Sequence, residues 1–315
     1  MELLIFLCFL TCLLIYWLKG KSKSPPGPHS IPLLGSLPFL KTAKGIADWV
    51  LDDSVTQQKL ATVELGPKTV YLINDFDLAK TLFDKAEFSG RSPKPIQLLH
   101  RYFNATPQGI IFTQEKQWAT HRRFSLKTLK DFGFGKRSIE DSIHFEVQEL
   151  TENFLSCNGD SFIGTDFNVP IINILWQMVA DSRFTPEDPA GMKMVENVTK
   201  IFTTGISLEQ IPLQVSKLFP TWSGYGERVQ ANEDILHYLM GVVKNHEVEL
   251  DPTNPKDFID VYLNEIKNQA GGQEYNKEDL VGCIYDFFVA GTETSSTTLK
   301  WAVLYLTLYP EVQQR

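Results

Sequence analysis

Phe288-Val289-Ala290-Gly291-Thr292-Glu293-Thr294 decides how this chain is read, because it interrupts a helix that is otherwise apolar on every side. The helix is expected from Lys277 to Leu308. Asn276 precedes it as an N-cap residue, and Glu278 and Asp279 fall in the first turn, where the helix dipole favours negative charge. Pro310 ends it, since the residue before a proline is pushed out of the α region. At about 1.5 Å per residue the helix would span roughly 48 Å. Leu280, Cys283, Ile284, Phe287, Phe288 and Val289 surround its first half, and Leu299, Trp301, Val303, Leu304 and Leu306 its second. A helix apolar all round is normally buried in a large core. Asp286, Glu293 and Lys300 make it a poor membrane span.

The middle of this helix is chemically odd. A glycine, a carboxylate and the hydroxyls of Thr292, Thr294, Ser295, Ser296, Thr297 and Thr298 stand where leucine would serve a core better. Gly291 alone costs about 1 kcal/mol against alanine. The Thr294 hydroxyl is placed to bond back to the Ala290 carbonyl. Asp286, Ala290, Glu293 and Thr294 share one helical face. A small-residue notch with an acid and an alcohol beside it suits a bound ligand and proton delivery. On spacing alone, a kinked helix with an exposed acidic turn reads equally well.

The rest of the chain sets the frame. Its 315 residues can bury a substantial core, and a net charge of −8 with pI near 5.3 argues against nucleic acid as a partner. Cys8, Cys12, Cys157 and Cys283 make neither a metal spacing nor a disulfide framework, which fits a reducing, cytosol-facing domain. Leu3 to Leu18 carries no charge and would cover roughly 24 Å as a helix, enough for a thin bilayer. Glu2 precedes this run and Lys19, Lys21 and Lys23 follow it, so the positive-inside rule puts the N-terminus in the lumen. A cleaved signal peptide would want a basic start and a small-residue cleavage site. The expected organisation is a membrane anchor at 1–20, a proline-rich hinge at 21–38 and the N-terminal and central part of a folded domain over 39–315.

Within that domain the pattern is mainly helical with a small β portion. Helices are expected at Ile46–Lys59, Asp75–Lys85, Glu115–Leu129, Ser138–Ser156, around Pro170–Arg183, at Glu227–Glu249 and from Lys256 onward. Two strands, Ala61–Leu65 and Thr69–Ile73, are joined at Gly66-Pro67. Phe88 to Gln114 has no clear period, and so long a loop usually carries function. Trp118 and Arg122, at i and i+4, present an indole N–H and a guanidinium on one face, a pair able to grip a carboxylate. A tryptophan packed over an arginine stem has the same spacing. Lys127, Lys130, Lys136 and Arg137 form a basic cluster in an acidic chain.

Taken together these motifs resemble the cytochromes P-450, the haem-thiolate monooxygenases. Residues 288–294 resemble the oxygen-binding segment of that family's long central helix. The resemblance implies a P-450 fold, haem as cofactor and O2 as co-substrate. It implies proton delivery by Glu293 and Thr294, an oxygen notch at Ala290 and Gly291, and a substrate pocket lined by Asp286, Val289 and Ala290. Arg91, in Phe88-Ser89-Gly90-Arg91, joins Trp118 and Arg122 as the expected contacts of the haem propionates. The basic cluster is similar to the face that receives a flavoprotein reductase or cytochrome b5. Ser24-Pro25-Pro26-Gly27-Pro28 with Ile31-Pro32-Leu33-Leu34-Gly35 resembles the hinge of microsomal members, and Lys256-Asp257-Phe258-Ile259-Asp260 a phrase of their family 2 branch. The implied activity is oxygen insertion into a small apolar molecule (xenobiotic, fatty acid or steroid-like) at the endoplasmic reticulum membrane, on its cytosolic side.

One departure stands against this. The family's Glu-x-x-Arg helix and Phe-x-x-Gly-x-x-x-Cys loop are not among these residues, and no cysteine here has the setting of the axial ligand, so no metal ligand is assigned. His121 lies beside the grip, but adjacent helical residues point about 100° apart. The expectation is therefore the front part of a monooxygenase, an incomplete fold inactive by itself. The rival is a membrane-tethered helical binding or regulatory protein without catalysis.

Overall fold

Alternation builds the small sheet: Ala61 and Val63 point inward along one strand and are fully buried with Val55. The computed structural model describes residues 8–11, 24–31, 35–36, 53–65, 68–91, 106–157, 167–185, 187–203, 213–269 and 274–314. The chain divides into two units. The first comprises Met1–Gly90 and Gly205–Ser223, the second Arg91–Thr204 and Gly224–Arg315.

The first unit contains α1 (Asp53–Thr56), β1 (Leu60–Leu65), β2 (Lys68–Ile73), α2 (Phe76–Phe83) and α7 (Leu213–Leu218). β1 and β2 pair antiparallel, with Ala61 opposite Leu72 and Val63 opposite Val70. Asp75 caps α2 by accepting from Leu78 N at 2.9 Å, as its residue type favours. Part of the expected proline-rich hinge lies along β1. Thr62 N donates to the Pro26 carbonyl at 2.9 Å, and a Cβ on Gly27 would collide with the Thr62 backbone. Of the expected anchor, only residues 8–11 are described, and they are helical. Among the described residues no helix is long and apolar enough to cross a membrane. The first half of the expected Ile46–Lys59 helix, the Gly66-Pro67 connection and residues 92–105 and 204–212 lie outside the described residues.

The second unit is helical. It contains α3 (Glu115–Asp131), α4 (Glu140–Ser156), α5 (Asn168–Ala180), α6 (Pro189–Thr203), α8 (Tyr225–Glu249), α9 (Phe258–Asn268), α10 (Lys277–Leu308) and α11 (Pro310–Gln313). One core runs through α5, α6, α8, α9 and the first half of α10. Trp176, Phe184 and Phe288 meet in tilted and edge-to-face pairs, with ring centres 5.4–5.7 Å apart. Polar groups buried beside this core pair with one another at α4 and α5. Asn173 donates to Glu146 and to the Phe184 carbonyl and accepts from Phe184 N at 2.8 Å, while Arg183 closes on Glu146 at 2.7 Å. The long helix is buried from Asp279 to Val289 save for the half-buried Phe287, whereas Trp301, Leu304, Tyr305 and Leu308 are exposed.

Candidate functional site

The site is built on α10. Asn276 caps it, accepting from Asp279 N at 2.7 Å and donating to Asp279 Oδ2 at 2.9 Å. One turn on, Gly282 permits a backbone crossing. A Cβ there would stand 2.5 Å from Gly109 N, and one on Gly109 would stand 2.7 Å from the Gly282 carbonyl. Gly109 itself has φ +78°, the left-handed region that glycine enters freely. This close approach seats residues 106–114 on the helix.

Asp286 is committed to that crossing. Its Oδ2 accepts from Ile110 N at 2.6 Å and from Ile111 N at 2.8 Å. Burial pushes its pKa up to about 7, and the two amide donors pull in the opposite direction. Sequence reasoning expected Asp286 and Val289 to line a substrate pocket. Both are buried: Asp286 is a tie between loop and helix, and Val289 packs into the main core. At Gly291, expected with Ala290 to form the oxygen notch, the missing side chain makes room for Leu175 of α5, which a Cβ would strike.

Ala290 and Thr294 remain together on the outer side, half-buried and exposed respectively. Thr294 Oγ1 donates to the Ala290 carbonyl at 2.8 Å, so its proton is held and its lone pairs face outward. Glu293 is half-buried on a different side. Its Oε2 accepts from Thr199 Oγ1 of α6 and its Oε1 from Thr297 Oγ1, each at 3.2 Å. Thr292 and Ser296 are buried, and their hydroxyls bond back to the Phe288 and Thr292 carbonyls.

α3 supplies the second group. Its inner face carries Gln117, whose amide donates to Asp279 Oδ1 at 2.9 Å, and His121, which is buried. His121 Nδ1 lies 3.0 Å from the Tyr262 hydroxyl. Its Nε2 is 3.2 Å from Asp279 Oδ2, within ion-pair range but out of hydrogen-bonding alignment. His121 thus faces inward. Arg122, the next residue, and Trp118, three residues before His121, face outward, with the guanidinium 5.5 Å above the indole ring. Apart from this stacking, neither the indole N–H nor the guanidinium has a partner among the described residues. Arg91 is exposed and engaged in a contact of its own. Lys127, Lys130, Lys136 and Arg137 are all exposed just beyond the grip.

Cys283 lies within the buried half of α10. Burial, with Asp286 and Asp279 nearby, raises its thiol well above the ordinary range, so it is a packing residue and not a thiolate. The residues that sequence reasoning missed are Thr199, Asn168, Gly109 and Gly282. Only the glycine in an apolar helix gave a signal that another backbone approaches there.

With this geometry in hand, the comparisons are specific. The cytochrome P450 family model matches residues 25–315. Among curated relatives, cytochrome P450 2B4 of Oryctolagus cuniculus is 33% identical over 328 residues, covering 100% of this chain and 65% of that protein. Cytochrome P450 2C29 of Mus musculus is 32% identical, covering 99% of the chain and 65% of the relative. Cytochrome P450 2C16 of Oryctolagus cuniculus is 34% identical, covering 97% and 63%. The chain therefore spans just under two thirds of the length of these relatives. A match over residues 25–315, on a mainly helical fold with one two-stranded sheet, assigns the chain to the cytochrome P450 family.

Proposed function

We propose that the protein acts as a haem-dependent monooxygenase, inserting one oxygen atom from O2 into a small apolar molecule with electrons from a flavoprotein reductase. The observation that carries this reading is the middle of α10, where the exposed Thr294 bonds to the carbonyl of the small, half-buried Ala290 and the half-buried Glu293 lies next in sequence. Residues present fit the cofactor's chemistry. Trp118 and Arg122 offer two outward donors with no other partner among the described residues, and such a fork matches a carboxylate. With Arg91 they would hold the haem propionates. Haem, when bound, would supply the oxygen-activating redox chemistry.

The chain's own residues do the remaining work. Ala290 leaves space against the helix for a small ligand. Thr294, whose proton is held by the Ala290 carbonyl, accepts a hydrogen bond from a water or ligand and so orients it. Glu293 holds a carboxylate two turns from the buried Asp286 and passes a proton on toward that surface. The exposed basic residues after α3 would steer an acidic reductase. An anchor at 1–20 in the endoplasmic reticulum membrane, with the domain in the cytosol, completes the reading. It is supported by the microsomal family 2 relatives and by the lysines after Leu18.

The test is spectroscopic. The protein expressed from its complete coding sequence should retain haem, give a thiolate-type difference spectrum when reduced under carbon monoxide, and release an oxygenated product with reductase. Absence of haem retention would overturn the proposal in favour of a non-catalytic helical binding protein.

A further inference from the structure

Glu293 is reached from one side by a chain of side chains whose donor directions are all fixed. Lys300 Nζ lies 3.0 Å from Asn168 Oδ1, and an ammonium can only donate, so the oxygen of that amide must face Lys300. The Asn168 amide nitrogen therefore faces Thr199 Oγ1, at 3.0 Å, and donates to it. Because Thr199 already accepts from Asn168, its own proton is directed to Glu293 Oε2, 3.2 Å away. Asn168 is fully buried, which holds the order in place. The three links join α10, α5 and α6, and return to α10 two turns from where they began.

Thr199 has a second neighbour. With Asn168, Asn153, Val169 and Glu196 it lines a groove of about 1140 Å³ between α4, α5 and α6. A hydroxyl oxygen has two lone pairs, and Asn168 occupies one. The other is available to water in the groove. Asparagine has no proton to pass on at neutral pH, so Asn168 and Lys300 orient the chain, while Thr199 alone can both receive and give one.

We infer that Thr199 positions and supplies Glu293: protons enter from the groove between α4, α5 and α6 through the Thr199 hydroxyl, which Asn168 and Lys300 hold in its donating orientation. The inference rests on the proposed role of Glu293 as a proton carrier. In each passage an O–H bond of a groove water breaks as a new one forms at Thr199 Oγ. The original Thr199 O–H bond breaks in favour of Glu293 Oε2, and the hydroxide left in the groove is neutralised by a proton from bulk solvent. Rotation of the hydroxyl restores the start.

Two readouts on the complete protein test this. The first is the infrared carboxylate band of Glu293, identified by its loss in Glu293→Gln and requiring no turnover. The second is the fraction of consumed O2 released as hydrogen peroxide when NADPH and a flavoprotein reductase supply electrons. Thr199→Val should move the band and raise the peroxide fraction by roughly threefold or more, because the general-acid route is interrupted. Thr199→Ser should restore both. Asn168→Asp is an independent variant that leaves every hydroxyl in place but gives Thr199 an anion to donate to, so it should move the band and raise the fraction as Thr199→Val does. An unmoved band in Thr199→Val or Asn168→Asp overturns the inference. A moved band with an unchanged fraction, while Glu293→Gln raises it, also overturns it and leaves the role of Glu293 standing. If Glu293→Gln leaves the fraction unchanged too, the proposed role of Glu293 fails and the inference with it.

Discussion

Asp286→Asn should change the pH dependence of stability in a calculable way. In the folded protein the Asp286 carboxyl titrates near 7, against 3.8 for an unperturbed group, because burial outweighs the two amide donors. The folded state therefore binds the proton more tightly than the unfolded state. The resulting stabilisation is complete below about pH 3.8 and is lost as pH rises to about 7. A difference of roughly three pH units at 1.36 kcal/mol each makes the loss about 4 kcal/mol, falling at up to ~1.4 kcal/mol per unit. Asparagine is close in shape to the protonated acid, and its carbonyl can still accept from Ile110 and Ile111. The variant should match the parent near pH 4 and exceed it by up to about 4 kcal/mol at pH 8. Urea unfolding across pH 4–8, followed by tryptophan fluorescence with Trp176 buried as reporter, measures both slopes. Parallel curves for the two proteins would refute the reasoning. Asp286→Ala, which removes the acceptor, should instead abolish hydrogen-exchange protection of the Ile110 and Ile111 amides.

Further expectations rest on other contacts. Gly282→Ala sets a methyl 2.5 Å from Gly109 N and should destabilise by about 2 kcal/mol or more, seen as a lower urea midpoint. His246 feels burial, which lowers its pKa, but hydrogen bonds to Asp257 at 2.8 Å and to the Val242 carbonyl raise it above the ordinary value. Its stabilisation is present below pH 6.5 and lost as pH rises through the raised value, so His246→Gln should flatten the stability curve on that side. Arg122→Ala with Trp118→Ala should lower retained haem on gel filtration, with the circular dichroism spectrum unchanged.

What was legible in the sequence was local. Asn276, the acidic first turn and Pro310 delimit α10 at Lys277 and Leu308, as observed, because caps and proline act within a turn or two. The Thr294 bond to Ala290 was legible for the same reason. α3 runs two residues past the expected Leu129, to Asp131, before Gly133 at φ +110° turns the chain. What was not legible depends on residues far apart in the chain. A helical wheel puts Asp286 on the face of Ala290, yet its carboxylate is taken by amides 175 and 176 positions away. Nor does the sequence show that Leu175 lies against Gly291. Thr199 and Asn168 carry no motif, and their importance comes only from the crossing of α5, α6 and α10.

If Thr294, held by the Ala290 carbonyl, orients the last hydrogen bond in proton delivery, removing its hydroxyl uncouples oxygen consumption from product formation. The direct measurement is the hydrogen peroxide released per O2 consumed by the complete, haem-loaded protein and its Thr294→Ala variant, with NADPH and a flavoprotein reductase. Loss of the hydroxyl should raise that ratio several-fold, consistent with the ~10²-fold or greater contribution of positioned proton transfer, while haem content and stability stay as in the parent. A ratio equal to the parent's, at equal haem content, would contradict the claim and leave Thr294 a packing residue.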